Sequence, residues 1–211
     1  MKTKVFGIGF HKTGTTSLAK ALTVLGYRVT GPNGVGDPDI AQNVYSMASD
    51  LVKKFDAFQD NPWPILYREL DNEFPNSKFI LTIRPISAWI KSIGNHFGEE
   101  DTPMRQWIYG VGHPKGNEAI YMDRYERHNH EVVEYFSGRA GDLLVLDVTR
   151  GEGWEKLCPF LNEPIPSVSF PCANTASIRE VERKRESSWI WRARMKVERR
   201  AKTLLGSRVS R

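Results

Sequence analysis

Residues with strand character and residues with helical spacing alternate along the chain. Short β-branched or apolar runs, each about the length of one strand, lie at residues 4–9, 27–30, 56–60, 77–84 and 142–147. Between them, apolar residues recur every three or four positions, as they do on amphipathic helices. Such alternation is typical of a parallel sheet covered by helices on both faces. We therefore predict an α/β fold of three layers, with a central, mainly parallel sheet flanked by helices.

The predicted helices differ in length, and one long connection lies between two of them. The helices span residues 17–25, 39–55, 64–74, 85–97, 117–136, 153–161 and 188–205. Residues 98–116 contain glycines, prolines and scattered aromatic residues, so we predict an irregular insertion suited to a lid on the acceptor side of a site. We expect one domain over residues 1–178 and a basic helical extension over residues 179–211.

Charge separates these two parts of the chain. The net charge is +5, but residues 179–211 alone carry 12 basic and 4 acidic side chains. Such a tail attracts an anionic surface, or lies as a solvated helix against the domain. The chain has no run of 18 apolar residues, and the first strand begins too early to leave room for a signal peptide. Its 2 cysteines lack metal-ligand and disulfide spacing, so we expect a cytoplasmic location.

The loop between the first strand and the first helix has the composition of an anion site. A strand, a loop and a helix in that order present unpaired N–H groups at the helix N-terminus, where the helix dipole also favours negative charge. Gly14 allows an anion to approach the backbone, and Lys12 adds a positive charge. Hydroxyl donors are supplied by Thr13, Thr15, Thr16 and Ser17.

This loop differs from the common nucleotide-binding P-loop in the position of its lysine. The P-loop pattern, G-x-x-x-x-G-K-[ST], places lysine directly after the last glycine. Here Thr15 follows Gly14, and Lys12 precedes that glycine by two residues. A lysine inside the loop can reach the bridging oxygen of a leaving phosphate, whereas one on the helix clasps the β- and γ-phosphates.

A second candidate for anion recognition lies at the end of the strongest predicted strand. Residues 77–84 end in Arg84, and the following helix carries Ser92. Ligands of open α/β sheets bind at the carboxyl ends of the strands. The forked donors of an arginine suit a phosphate dianion. The alternative is that Arg84 pairs with a carboxylate at the sheet edge.

Four segments together resemble the P-loop sulfotransferases that use 3′-phosphoadenosine 5′-phosphosulfate (PAPS). They are GFHKTGTTSL, FQDNPW, PNSKFILTIRPISAWIKS and LLVLDVTRGEGWEKLCPFLNEPIPSVSFPCAN, and the resemblance covers residues 4–175. It is closest to a branch of short, microbial-type sulfotransferase-like proteins, and it implies a P-loop-type fold. The chain lacks the Arg-Lys-Gly motif with which cytosolic sulfotransferases clamp the 3′-phosphate; Arg179, Arg183 and Lys184 are candidate replacements.

The resemblance implies in-line transfer of a sulfuryl group from PAPS to a hydroxyl or amine, leaving 3′-phosphoadenosine 5′-phosphate (PAP). Lys12 would stabilise the leaving 5′-phosphate, residues 13–17 would hold the phosphate and sulfate oxygens, and Arg84 with Ser92 would hold the 3′-phosphate. No metal is expected, because positioning and charge stabilisation carry such a transfer. No motif identifies the acceptor, a small molecule or a glycan.

The acceptor needs a general base within hydrogen-bond reach. Asp60, at the carboxyl end of the third predicted strand, is the first candidate; its alternative role is to cap the next helix. His11, inside the loop, and His96 are lesser candidates. The remaining histidines, 113, 128 and 130, are expected at the surface.

Two other classes of function stay open. A kinase or NTPase with a displaced lysine would need Mg²⁺ and a strand-end carboxylate, for which Asp147 is the candidate. A non-catalytic nucleotide-binding module would act through its basic C-terminal helix.

Overall fold

A single parallel sheet organises the computed structural model, which describes residues 2–172. Its strand order is β2–β3–β1–β4–β5. The strands are β1 (Val5–Gly7), β2 (Val29–Thr30), β3 (Ala57–Phe58), β4 (Lys78–Thr82) and β5 (Leu143–Leu146), and every neighbouring pair is parallel. The predicted α/β fold is confirmed. The order places β1 in the middle, so the loop that follows it starts at the centre of the sheet edge.

Helices follow the strands as the apolar spacing predicts, with shorter ends. Within the described residues they are α1 (Thr15–Val24), α2 (Ile40–Val52), α3 (Tyr67–Glu73), α4 (Ile86–Phe97), α5 (Pro103–Tyr109), α6 (Glu118–Tyr135) and α7 (Trp154–Leu161), with a 3-10 turn at Val148–Arg150. None of these helices is long and apolar enough to span a bilayer. The predicted helix at 188–205 and the predicted boundary after residue 178 lie outside the described residues.

Successive strand residues point to opposite faces and build two separate apolar clusters. Phe6, Phe58 and Phe79 pack in one cluster with helices α2 to α6. Their preceding or following neighbours, among them Val5 and Ile80, pack in the other cluster with α1 and α7. Helices on both faces of the sheet make three layers.

The prediction of an irregular insertion at residues 98–116 is wrong, because this segment contains α5. Thr102 caps the helix by accepting a hydrogen bond from the Arg105 N–H at 3.2 Å, and Pro103 occupies its first turn. Gly110 ends it in the left-handed conformation, with φ of 76°. Cap, proline and terminal glycine are ordinary boundary signals of a helix. They were readable in the sequence, although the helix has only 7 residues.

Candidate active site

The loop after β1 turns sharply at two residues with positive φ. Gly14 is the N-cap residue of α1 at φ 104°, and Lys12 has φ 67°. Because glycine has no side chain with which to cap the helix, the N-cap residue leaves the first-turn N–H groups to other acceptors. The structure therefore combines a helix N-terminus with a half-buried lysine two residues before it, which is the arrangement expected of an anion site.

Two of the predicted hydroxyl ligands are used inside the protein. Thr13 is fully buried, and its hydroxyl bonds to the Phe10 carbonyl at 2.5 Å and to the Thr82 hydroxyl at 2.6 Å. The Thr15 hydroxyl donates to Asp60 Oδ2 at 2.8 Å. The expectation that these two side chains bind phosphate oxygens therefore does not fit the geometry. Thr13 instead fixes the loop to the end of β4, and Thr15 fixes it to Asp60.

Asp60 lies two residues beyond β3 in the left-handed conformation, with φ of 64°. Its Oδ1 accepts the Asn61 N–H at 2.8 Å, and its Oδ2 accepts the Thr15 hydroxyl. Burial raises the pKa of Asp60, while these two hydrogen bonds and the charge of Lys12 oppose the rise. Each carboxylate oxygen has two acceptor sites and uses one of them here, so Asp60, with its raised pKa, can still accept a proton.

Lys12 brings the loop and this carboxylate into one electrostatic environment. Its positive charge opposes the rise that burial causes in the pKa of Asp60, and it adds to the lowering of the pKa of His11. Hydrogen bonds from Thr15 to Asp60 and between Asn61 and the His11 ring join the loop to the turn after β3. The two segments that carry the predicted catalytic residues Lys12, His11 and Asp60 therefore meet at the carboxyl edge of the sheet.

His11 does not have the geometry of a general base. It is 3% exposed, and both ring nitrogens have partners: Asn61 Nδ2 lies 2.9 Å from Nδ1, and the Tyr109 hydroxyl lies 3.0 Å from Nε2. Burial, and then the charges of Arg105 and Lys12, lower its pKa to about 3. We therefore correct the sequence-based assignment, because a neutral imidazole with both nitrogens engaged positions its neighbours instead of titrating.

Arg84 contacts the loop directly. Its Nη1 donates to the Lys12 carbonyl at 3.2 Å, and the Tyr125 hydroxyl bonds to both its backbone N–H and carbonyl. Among residues 2–172 it has no carboxylate partner, and its buried Nε has no hydrogen-bond acceptor. Ser92 is a buried residue of α4. The alternative in which Arg84 pairs with a carboxylate thus finds no support in the described residues.

His128 is buried, contrary to the expectation that it lies at the surface. It is 1% exposed, lies 4.4 Å from the Phe10 ring in a stacked arrangement, and donates from Nε2 to the Ile8 carbonyl at 2.8 Å. Burial lowers its pKa to about 4. The helical spacing of the sequence could have predicted this burial, because residues 121, 125, 128 and 132 lie on the buried face of α6.

Three further residues that the sequence did not suggest hold the loop in place. Trp89 donates from Nε1 to the His11 carbonyl at 2.9 Å, and Asn61 and Tyr109 bond to the His11 ring. Single aromatic or amide side chains carry no recognisable pattern, so their contact with the loop appears only in the tertiary structure.

The carboxylate proposed for a metal-dependent alternative has another role. Asp147 Oδ1 accepts hydrogen bonds from the Thr149 N–H at 3.0 Å and the Thr149 hydroxyl at 2.6 Å. It thereby caps the 3-10 turn after the edge strand β5. In the described part of the chain, no group of three or more His, Cys, Asp or Glu side chains is arranged to hold a metal ion.

Fold and site define an α/β protein whose central strand leads into a lysine-containing loop at a helix N-terminus. The chain belongs to the sulfotransferase domain family, whose model matches residues 4–118 and 102–178, and the predicted family is thereby confirmed. It is also 24% identical over 221 residues to the Ava biosynthesis cluster protein M of Aspergillus versicolor, with 83% of each chain covered. Membership of the family supports a sulfotransferase-type enzyme.

Proposed function

We propose that this protein transfers a sulfuryl group from PAPS to a hydroxyl or amine acceptor. The observation that carries this proposal is that Thr15, the first residue of α1, bonds to Asp60 at 2.8 Å, so that Asp60 lies at the helix N-terminus that the Lys12 loop leads into. The positive groups suit the phosphosulfate, and the carboxylate suits the proton of the acceptor. The name of the Aspergillus relative refers to a biosynthesis cluster, which favours a small-molecule acceptor over a glycan.

The residues present fit such a donor. Arg84 has a buried Nε without an acceptor in the described part of the chain, which is costly unless a bound group satisfies it. A phosphate dianion would do so, and Ser92 on the next helix would add a hydroxyl. We assign the 3′-phosphate to Arg84 and Ser92, and the 5′-phosphosulfate to the amides of residues 13–17, Lys12, Thr16 and Ser17.

The reaction requires one proton transfer and one charge to be stabilised. PAPS supplies an activated sulfuryl group when it is bound. Asp60 would accept the proton of the acceptor hydroxyl while the acceptor oxygen forms its bond to sulfur. Lys12 would stabilise the negative charge left on the 5′-phosphate oxygen when its bond to sulfur breaks. His11 holds Lys12 and Asn61, the neighbour of Asp60, at a fixed separation.

Two measurements test the proposal. PAP should raise the melting temperature without a metal, and by more than ATP with Mg²⁺ does, because a ligand that binds only the folded state stabilises it. PAPS labelled in its sulfate should then transfer label to a member of a panel of phenols, alcohols, amines and sugars. Stabilisation by ATP with Mg²⁺ but not by PAP would reject the donor and favour a kinase or NTPase.

A second candidate, a nucleotide-binding module without turnover, is favoured by the charge of residues 179–211, which carry 12 basic and 4 acidic side chains. These residues, including Arg179, Arg183 and Lys184, lie outside the described part of the chain. Binding of nucleic acid or anionic vesicles that is lost on deleting 179–211, without sulfate transfer, would support this candidate.

A further inference from the structure

The side chain of His11 connects three parts of the protein. Burial keeps the imidazole neutral, so one nitrogen donates a hydrogen bond and the other accepts one. Asn61 Nδ2 is a donor, so His11 Nδ1 accepts and Nε2–H donates to the Tyr109 hydroxyl. The backbone of His11 is held independently, by Trp89. The ring therefore links the loop to the turn after β3 and to α5.

Tyr109 is the last residue of α5 and is firmly held within it. It is 6% exposed and stacks on Tyr121 with ring centroids 3.8 Å apart. Arg105, buried in the same helix, donates to the carbonyls of Gly112 and Glu100. These bonds tie both ends of the segment around α5 together, so a displacement of this segment moves the Tyr109 hydroxyl with it.

The two residues joined at His11 Nδ1 are each next in the chain to a residue to which we assign chemistry. His11 precedes Lys12 in the chain, and Asn61 follows Asp60. One imidazole thus stands between the segment around α5 and both residues to which we assign chemistry. A small change in such spacing is expensive in catalysis, because reacting groups must stay within a narrow range of distance.

We propose that Tyr109 is a positioning residue whose hydrogen bond to His11 couples the occupancy of the donor loop to the order of α5. This inference rests on the proposed binding of PAP at the loop. It makes the segment at residues 98–116 part of the donor machinery, and it predicts that a ligand at the loop stabilises amides that it does not touch.

Hydrogen exchange with and without PAP tests the coupling in the full-length protein. In the wild type, PAP should slow exchange over residues 10–17 and also over 103–110. Tyr109→Phe keeps the ring and its stacking but removes the hydroxyl, so PAP should protect 10–17 only, and its affinity should fall about 2- to 10-fold with the loss of one hydrogen bond. The matched control is Tyr135→Phe, which removes a tyrosine hydroxyl that donates to Asp71 Oδ2 at 2.8 Å, away from α5 and the loop, and should show the same PAP protection as the wild type.

The outcomes separate this inference from the proposed function. Equal protection of 103–110 in Tyr109→Phe and in the wild type would overturn the coupling. Protection of 10–17 without 103–110 in the wild type would also overturn it, even if the variant folds poorly, while leaving the donor site intact. No protection of either region would reject PAP binding and the coupling together. A uniform rise in exchange throughout Tyr109→Phe, with PAP still protecting both regions, would assign Tyr109 a merely structural role and reject the proposal.

Discussion

Single side chains at the edge of the sheet differ in how far their hydrogen-bonding groups are used by other protein groups. Thr13 and His11 have their polar side-chain atoms engaged by other protein groups. Arg84 keeps a buried donor without an acceptor in the described residues, and Asp60 carries a carboxyl whose pKa is raised by burial.

Lys12→Ala should reduce turnover by about 10²- to 10³-fold, the usual cost of removing one group that stabilises charge in the transition state. The fold should persist, because the turn at residue 12 is also held by Arg84 and Trp89. Sulfate transfer from labelled PAPS measures the loss. Lys20→Ala, at an exposed position of α1, is the control. Equal rates in the two variants would remove Lys12 from the chemistry.

Asp60→Asn should lower the rate by about 10²-fold or more, with little change in PAP affinity, because it removes the base. Asparagine tolerates the left-handed conformation of this position. Since burial raises the folded-state pKa of Asp60 above its ordinary value of 3.8, its stabilising contribution is present below that value and is lost as pH rises through the folded pKa. The variant should therefore melt no lower than the wild type at pH 7. Unchanged turnover would exclude Asp60 as the base.

Arg84→Ala should weaken PAP binding by roughly 10- to 100-fold, since a hydrogen bond to a charged group contributes about 1.5–3 kcal/mol. Calorimetric titration should show a much smaller loss for adenosine 5′-phosphate, which lacks the 3′-phosphate. Arg28→Ala, which breaks the exposed ion pair with Asp56, should leave both affinities unchanged. A similar loss for both nucleotides would place Arg84 at the loop alone and refute its assignment to the 3′-phosphate.

At the scale of elements, β1 and β4 approach so closely that the chain beyond β1 needs a glycine. A Cβ on Gly9 would lie 2.1 Å from Thr82 Oγ1 and 2.3 Å from the Thr82 carbonyl oxygen. Thr82 also bonds to Thr13, so the same contact that demands glycine anchors the loop. The close packing of the chain after β1 against the end of β4 therefore fixes the position of the candidate anion site in the loop.

Gly9→Ala should destabilise the protein by about 1–3 kcal/mol, the usual cost of overpacking, and more if the Thr82 backbone cannot shift. Gly94→Ala is the matched control, because a Cβ there meets no atom of the described residues within 4 Å, and alanine should stabilise the interior of α4 by about 0.5–1 kcal/mol. Urea denaturation of both variants measures the difference. Equal stability would mean that the loop does not depend on this contact.

At the scale of the whole molecule, burying two histidines against the loop makes stability depend on pH. The folded-state pKa values of His11 and His128 are about 3 and about 4, against an ordinary value of 6.5. In the window between, the unfolded chain binds protons that the folded protein excludes, so stability falls as pH drops below 6.5. Each histidine contributes up to about 1.4 kcal/mol per pH unit.

We expect the free energy of unfolding to decline from pH 6.5 towards pH 4, before most carboxylates titrate. His128→Gln, whose amide can still donate to the Ile8 carbonyl, should remove about half of this slope. His130→Gln, at an exposed position, should not alter it. Denaturant titrations at several pH values measure the slopes, and an identical slope in all three proteins would contradict the role assigned to His128.

Much of this architecture was predictable because its signals are local. The alternation of strand-like runs and helical spacing predicts the parallel sheet, and the order of strand, loop and helix places Lys12 and Gly14 at a helix N-terminus. Helix α5 was also readable from Thr102, Pro103 and Gly110, but its 7 residues offer little periodicity, and glycine-containing sequence around it favoured a loop.

The sequence by itself determined the fold class, the family and the residue types of the loop, because each depends on neighbours a few positions apart. Only the tertiary structure decided which side chains of the loop form hydrogen bonds with other groups of the protein. Thr15 meets Asp60 across 45 positions, and His11 meets Tyr109 across 98. Such pairs form when the sheet order and the packing of α5 and α6 bring distant segments together, and burial then sets their pKa values.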